Sequence, residues 1–243
     1  MQDIFAEDTS SGIPLVLVHG FLGSSDMWRP QINFFKDNYR VIAPALPGFG
    51  NSRTFNSCNS IEGMAKSILN LLKKKEIKRF NLLGHSMGGM IVQEIAKIAG
   101  DKILKLICYG TGPKGNIPGR FETIDQSRKK LKINGLKDTA YRIAQTWFIE
   151  EEKAKYFYLC EEAGKQTSLE AADNGLIAMK NWSGVKNLKD ILKKNPLAII
   201  LIEGHTNLPN YEEACSSHIP FIEGALNSYN RICDLNTSIC PIT

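Results

Sequence analysis

Apolar residues fall along this chain in two periods. Pro14-Leu15-Val16-Leu17-Val18 is a short continuous run ending at His19-Gly20, the pattern of a strand buried on both faces. Tyr39-Arg40-Val41-Ile42-Ala43, Phe80-Asn81-Leu82-Leu83 and Ile103-Leu104-Lys105-Leu106-Ile107-Cys108-Tyr109 predict three more strands. Between them the period lengthens. Ile61, Met64, Ala65, Ile68, Leu69 and Leu72 recur at helical spacing, as do Met90, Ile91, Ile95 and Ile98. Strand and helix therefore alternate from residue 14 to 109, which calls for a parallel sheet with right-handed crossovers.

After that the alternation stops. Residues 113–195 hold no strand pattern but several helical ones, around 121–133, 136–149, 151–164 and 168–181. Tyr141, Ala144, Trp147 and Phe148 form an apolar stripe in one of them. Pro196-Leu197-Ala198-Ile199-Ile200-Leu201-Ile202 then resumes the sheet. The expected organisation is one α/β core, residues 1–112 and 196–243, interrupted by a helical cap over 113–195. Such an insert is far longer than an ordinary connection between elements.

Composition narrows the class without naming it. The 243 residues carry 30 Lys+Arg and 25 Asp+Glu, a net charge of +5, within a near-average globular make-up. No apolar run approaches the ~18 residues of a membrane span. The acidic start Met1-Gln2-Asp3-Ile4-Phe5-Ala6-Glu7-Asp8 lacks an apolar signal core, so a cytoplasmic protein without membrane attachment is expected. Lys73-Lys74-Lys75-Glu76-Ile77-Lys78-Arg79 reads as a solvated helix end, and no basic face interleaved with aromatics suggests nucleic acid. The six cysteines form no C-x-x-C pair and the four histidines no ligand spacing, so neither metal nor cofactor is expected. Gly110-Thr111-Gly112-Pro113-Lys114-Gly115 matches a dinucleotide pattern, but Pro113 removes an amide donor and Pro118-Gly119 stops a helix from starting. It reads as the loop from sheet to cap.

The chemistry lies in Gly84-His85-Ser86-Met87-Gly88, a G-x-S-x-G between a predicted strand and a predicted helix. Glycines two residues either side let strand and helix close up, and the turn lifts the Ser86 hydroxyl above the sheet edge. The Met87 N–H at the helix start is placed where an oxyanion forms. His19-Gly20-Phe21-Leu22-Gly23-Ser24-Ser25 follows the first predicted strand, and the Phe21 N–H is the second expected oxyanion donor. His19 is expected in a structural hydrogen bond and His85 as a packing residue.

With these residues the chain resembles the α/β-hydrolase family, in the capped branch that includes many small carboxylesterases. The resemblance rests on His19-Gly20-Phe21, Leu46-Pro47-Gly48-Phe49-Gly50-Asn51-Ser52 and Gly84-His85-Ser86-Met87-Gly88-Gly89, within residues 14 to about 112. It departs at Ala45, where relatives usually carry Asp. It implies an acid and a histidine after the serine. The acid position holds Asn207, in Glu203-Gly204-His205-Thr206-Asn207, and no histidine stands near residue 232. His205 is the candidate base. No amphipathic helix follows residue 225, and Ser238-Ile239-Cys240-Pro241-Ile242-Thr243 matches no closing element. The corresponding expectation is a C-terminal segment altered by truncation or a reading-frame change.

The expected activity is hydrolysis of a small carboxylic ester through an acyl-enzyme on Ser86. Asn207 keeps a second class open, a hydrolase-fold protein that binds a ligand without catalysis. Carbon–carbon bond hydrolysis is a third, because one elbow serves several chemistries.

Overall fold

The computed structural model describes residues 3–116, 122–148, 150–194 and 199–202. In chain order the core elements are β1 (Ala6–Asp8), β2 (Ile13–Val18), α1 (Arg29–Phe35), β3 (Tyr39–Pro44), α2 (Ile61–Lys74), β4 (Phe80–His85), α3 (Met87–Ala99) and β5 (Ile103–Tyr109). The chain continues through α4 (Ile124–Gln145), α5 (Phe157–Lys165), α6 (Leu169–Asn181) and α7 (Val185–Lys194) to β6 (Ile199–Ile202).

The strands form one sheet of order β1-β3-β2-β4-β5-β6. β2 to β6 are parallel and β1 pairs antiparallel with β3. Both faces are buried, which is why the strands read as continuous apolar runs. Leu15, Leu17, Val41, Ala43, Leu83 and Ile107 pack with Trp28 and Phe35 on one face. Their neighbours Val16, Val18, Ile42, Leu82, Leu106 and Cys108 join α2 and α3 on the other, as the two-residue period of a strand requires. Burial among apolar neighbours pushes the Cys108 thiol up to about 12 and keeps it unreactive.

β1 is an edge strand that the hydrophobic pattern does not announce. Its Asp8 carboxylate accepts from Arg40 Nε and Nη2, both at 2.8 Å, and from Lys75 Nζ at 2.7 Å. The Arg40 guanidinium, with help from Lys75, holds the Asp8 carboxyl well below the usual carboxylate range. α1, whose first turn carries Pro30, and the separate helix α7 are further additions to the expected elements.

The stretch between β5 and β6 leaves and returns through a neck. Lys114 and Ser183 form an antiparallel bridge, the Gly115 N–H donates to Trp182 O at 3.2 Å, and the Gly184 N–H donates to Pro113 O at 2.8 Å. The Gly110–Gly115 stretch leads into this neck. α4 carries a capping box between Thr123 and Gln126 and is broken at Gly135, φ 78° and ψ 178°, between the two expected helical patterns. α7 packs against α3, beside the sheet.

Candidate active site

Ser86 sits between the end of β4 and the start of α3 with φ 52° and ψ −117°, a backbone conformation rare outside glycine. The flanking glycines explain how so sharp a turn closes. A Cβ at Gly84 would lie 2.2 Å from Gly88 O, and one at Gly88 would lie 2.2 Å from Val18 O. The turn is held from β5 and the loop after it. The Ser86 N–H donates to Tyr109 O at 2.9 Å, and Thr111 Oγ1 donates to Ser86 O at 2.8 Å. Ser86 itself is half-buried.

Register brings the second loop to the same edge. β2 and β4 pair with Val18 opposite Gly84, so the chain leaves both strands side by side. A Cβ at Gly20 would lie 3.1 Å from Ser86 Cβ. The loop then makes a tight turn, closed by the Gly23 N–H on Gly20 O at 3.1 Å, with Leu22 at φ 55°. Ser86, Phe21 and Met87 are thereby brought together. Among the described residues no backbone group accepts from the N–H of Phe21 or of Met87.

His19 is a joint between loops. Its Nε2 accepts from the Leu46 N–H at 3.0 Å, so Nδ1 carries the proton and donates to Gly20 O at 2.8 Å. It is 1% exposed, and loss of hydration pushes its pKa down to about 4. A neutral, doubly engaged imidazole facing backbone is a structural group. His85 stacks at 5.2 Å between ring centroids on Tyr109.

α6 lies across the loops from above. The Ser168 N–H donates to Gly48 O at 2.8 Å, Ser57 Oγ donates to Glu170 Oε1 at 3.0 Å, and Asn174 Nδ2 donates to Ser57 Oγ at 2.7 Å. Just beyond its other end, Trp182 Nε1 donates to Glu94 Oε2 of α3 at 3.2 Å. Gln93 Nε2 donates to Gly112 O at 3.2 Å, tying the neck to the same helix. Thr111, Gln93 and Trp182 escaped the sequence reading of the site, since none lies in the motif around Ser86 and each acts across a long sequence separation.

His205 and Asn207, the candidate base and the residue in the acid position, lie outside the described residues. Among the described residues no group of three or more His, Cys, Asp or Glu side chains is arranged to hold a metal, and no helix is long and apolar enough to cross a membrane.

The sequence model of the alpha/beta hydrolase fold family matches residues 13–142. The chain belongs to that family. It is 36% identical over 111 residues to the dihydrolipoyllysine-residue acetyltransferase component of an acetoin cleaving system of Pseudomonas putida, covering 45% of this chain and 30% of that protein. The chain thus spans less than a third of that relative's length. It is 26% identical over 238 residues to the pimeloyl-[acyl-carrier protein] methyl ester esterase of Legionella pneumophila strain Corby, covering 91% of this chain and 94% of the relative. Among solved structures, a thermophilic esterase from Thermogutta terrifontis with malate bound superposes with a TM-score of 0.72 at 20% identity, covering 91% and 93% of the two chains. At that identity the likeness is one of fold.

Proposed function

We propose that the protein is a carboxylesterase-like serine hydrolase that cleaves a small carboxylic ester through an acyl-enzyme, with Ser86 as nucleophile. The observation that carries the reading is the Ser86 conformation, φ 52° and ψ −117°, directly before the N–H that opens α3, for which no backbone acceptor stands among the described residues. Strain of this kind costs on the order of 1–3 kcal/mol and persists where a site depends on it. Esterases among the relatives and structural neighbours support the same class.

In this reading Ser86 Oγ attacks the ester carbonyl carbon and His205 takes its proton. The Phe21 and Met87 N–H groups hold the oxyanion, each worth about 10²–10³ in rate by comparison with other hydrolases. The C–O bond then breaks, the alcohol leaves with the proton, and water repeats the sequence on the acyl group to regenerate Ser86. Within residues 113–195, α4, α5 and α6 serve as the cap helices, with the substrate pocket beneath them at the sheet edge. No metal, cofactor, nucleic acid or membrane enters the scheme.

Fluorophosphonate labelling tests it. Wild-type protein is expected to take the label and Ser86→Ala to lose it together with hydrolysis of a nitrophenyl ester panel. An unlabelled wild type overturns the acyl-enzyme. The presence of Asn207 in the acid position favours the second reading, ligand binding without turnover. An asparagine holds an imidazole but does not stabilise imidazolium, a loss of about 10⁴ in serine proteases. Asn207→Asp is expected to raise kcat at least about tenfold; an unchanged kcat removes Asn207 from the acid position.

A further inference from the structure

We propose that Gly175 of α6 is a positioning residue, whose bare backbone seats the ring of Phe21 and so fixes the Phe21 N–H beside Ser86. The proposal rests on the reading of that N–H as an oxyanion donor. Gly175 stands in the interior of a 13-residue helix, where glycine is a poor former and needs a reason to be present. The reason is contact. A Cβ at 175 would lie 3.2 Å from Phe21 Cδ2 and 3.3 Å from Cε2, tighter than ordinary packing, and 3.5 Å from Phe49 Cζ. Phe21 is 6% exposed, so its ring has nowhere open to retreat.

The ring and the donor belong to one short turn. Gly20 to Gly23 is closed by a hydrogen bond, and Leu22 is already at φ 55°, which leaves little freedom to absorb a displaced ring. α6 cannot back away either. Its start is bonded to Gly48 O and Ser57, and just past its end the neck and the Trp182–Glu94 bond tie the chain to the core. At the start of the helix the fit is as close, since a Cβ at Gly48 would lie 2.4 Å from Ala171 Cβ. A side chain at 175 therefore pushes Phe21, and the push reaches the amide.

The experiment compares Gly175→Ala, Gly175→Val, Phe21→Leu and the Val/Leu double variant, all in the full chain. Leucine at 21 keeps the N–H and removes the ring edge. Readouts are kcat and KM on nitrophenyl acetate, the rate of fluorophosphonate labelling, and Tm. Gly175→Ala is expected to lower kcat and labelling several-fold with KM and Tm held, because alanine is the better helix former. Gly175→Val is expected to lose about tenfold or more, as sub-ångström misplacement of a catalytic group does. In the Phe21→Leu background the Val loss is expected to shrink to within about threefold. Wild-type kcat in Gly175→Ala, or an equal Val loss in both backgrounds, overturns the positioning role. An unlabelled wild type overturns the nucleophile reading itself, and is distinguished by that.

Discussion

At the scale of single residues, the site is made by positions where a side chain is missing as much as by those that carry one. Ser86 holds its strained turn because Gly88 lets α3 start against the carbonyl oxygens at the end of β2 and just after it. A methyl at 88 would sit 2.2 Å from Val18 O and 2.6 Å from His19 O, backbone atoms that cannot swing aside. Gly88→Ala is therefore expected to lower the unfolding free energy by about 3 kcal/mol or more, near the upper end for single substitutions. Gly135→Ala is the informative contrast. Nothing lies within 4 Å of a Cβ there, so its cost comes from the backbone alone, φ 78° and ψ 178° in an essentially glycine-only region, and is expected to be about 1–3 kcal/mol. Urea unfolding of the two variants measures both, and equal losses would show that crowding at Gly88 is relieved. The same logic divides what the sequence disclosed of the site. The turn at Ser86 and Met87 and the loop at Phe21 beside it were legible because each lies within a motif of the chain. Thr111 and Gly175 were not, because their contacts to Ser86 and Phe21 exist only once β5 and α6 are in place.

At the scale of elements, long periodic segments were legible and short ones were not. β2 to β5, α2 and α3 follow their apolar positions closely, and the break in α4 falls at a glycine between two helical patterns. β1 has three residues, too few to show a period, and its place on the sheet edge is held by charge. Asp8 bridges its own strand, β3 through Arg40, and Lys75 at the end of α2. With a side chain only 12% exposed, this carboxylate is held ionised between two cations. Asp8→Asn keeps the shape and removes the charge, and is expected to cost about 1–3 kcal/mol at pH 7. Its pKa is lowered in the folded state, so the ion pairs' stability is complete above the usual 3.8 and is lost as pH falls below it. Urea midpoints should therefore differ at pH 7 and converge below pH 3.8; a gap that persists would assign the effect to hydrogen-bond geometry instead of charge.

At the scale of the whole molecule, His19 couples the packing of the core to the integrity of the site. It stands where the loops after β2 and β3 meet, and it joins them while neutral, with Nε2 accepting from Leu46 N–H and Nδ1–H donating to Gly20 O. Protonation would turn Nε2 into a donor facing a donor, within 5.6 Å of the Phe49 ring, and would place a charge in a site 1% exposed. The folded pKa of about 4 lies below the usual 6.5, so the unfolded chain takes up the proton first as the medium acidifies. The stability that neutral His19 represents is complete above pH 6.5 and drains away between 6.5 and 4. A shift of that size corresponds to about 3 kcal/mol. His19→Asn has no titrating group at this position, so its stability is expected to be flatter over the same window. The difference between wild type and variant, measured by urea unfolding at pH 7.5, 5.5 and 4.5, should shrink by about 1.4 kcal/mol per unit below 6.5. Labelling of Ser86 at each pH separates the two consequences of the joint. If it falls in step with the folded fraction, His19 acts through the fold; if it falls while the protein remains folded, the group that titrates belongs to the catalytic base.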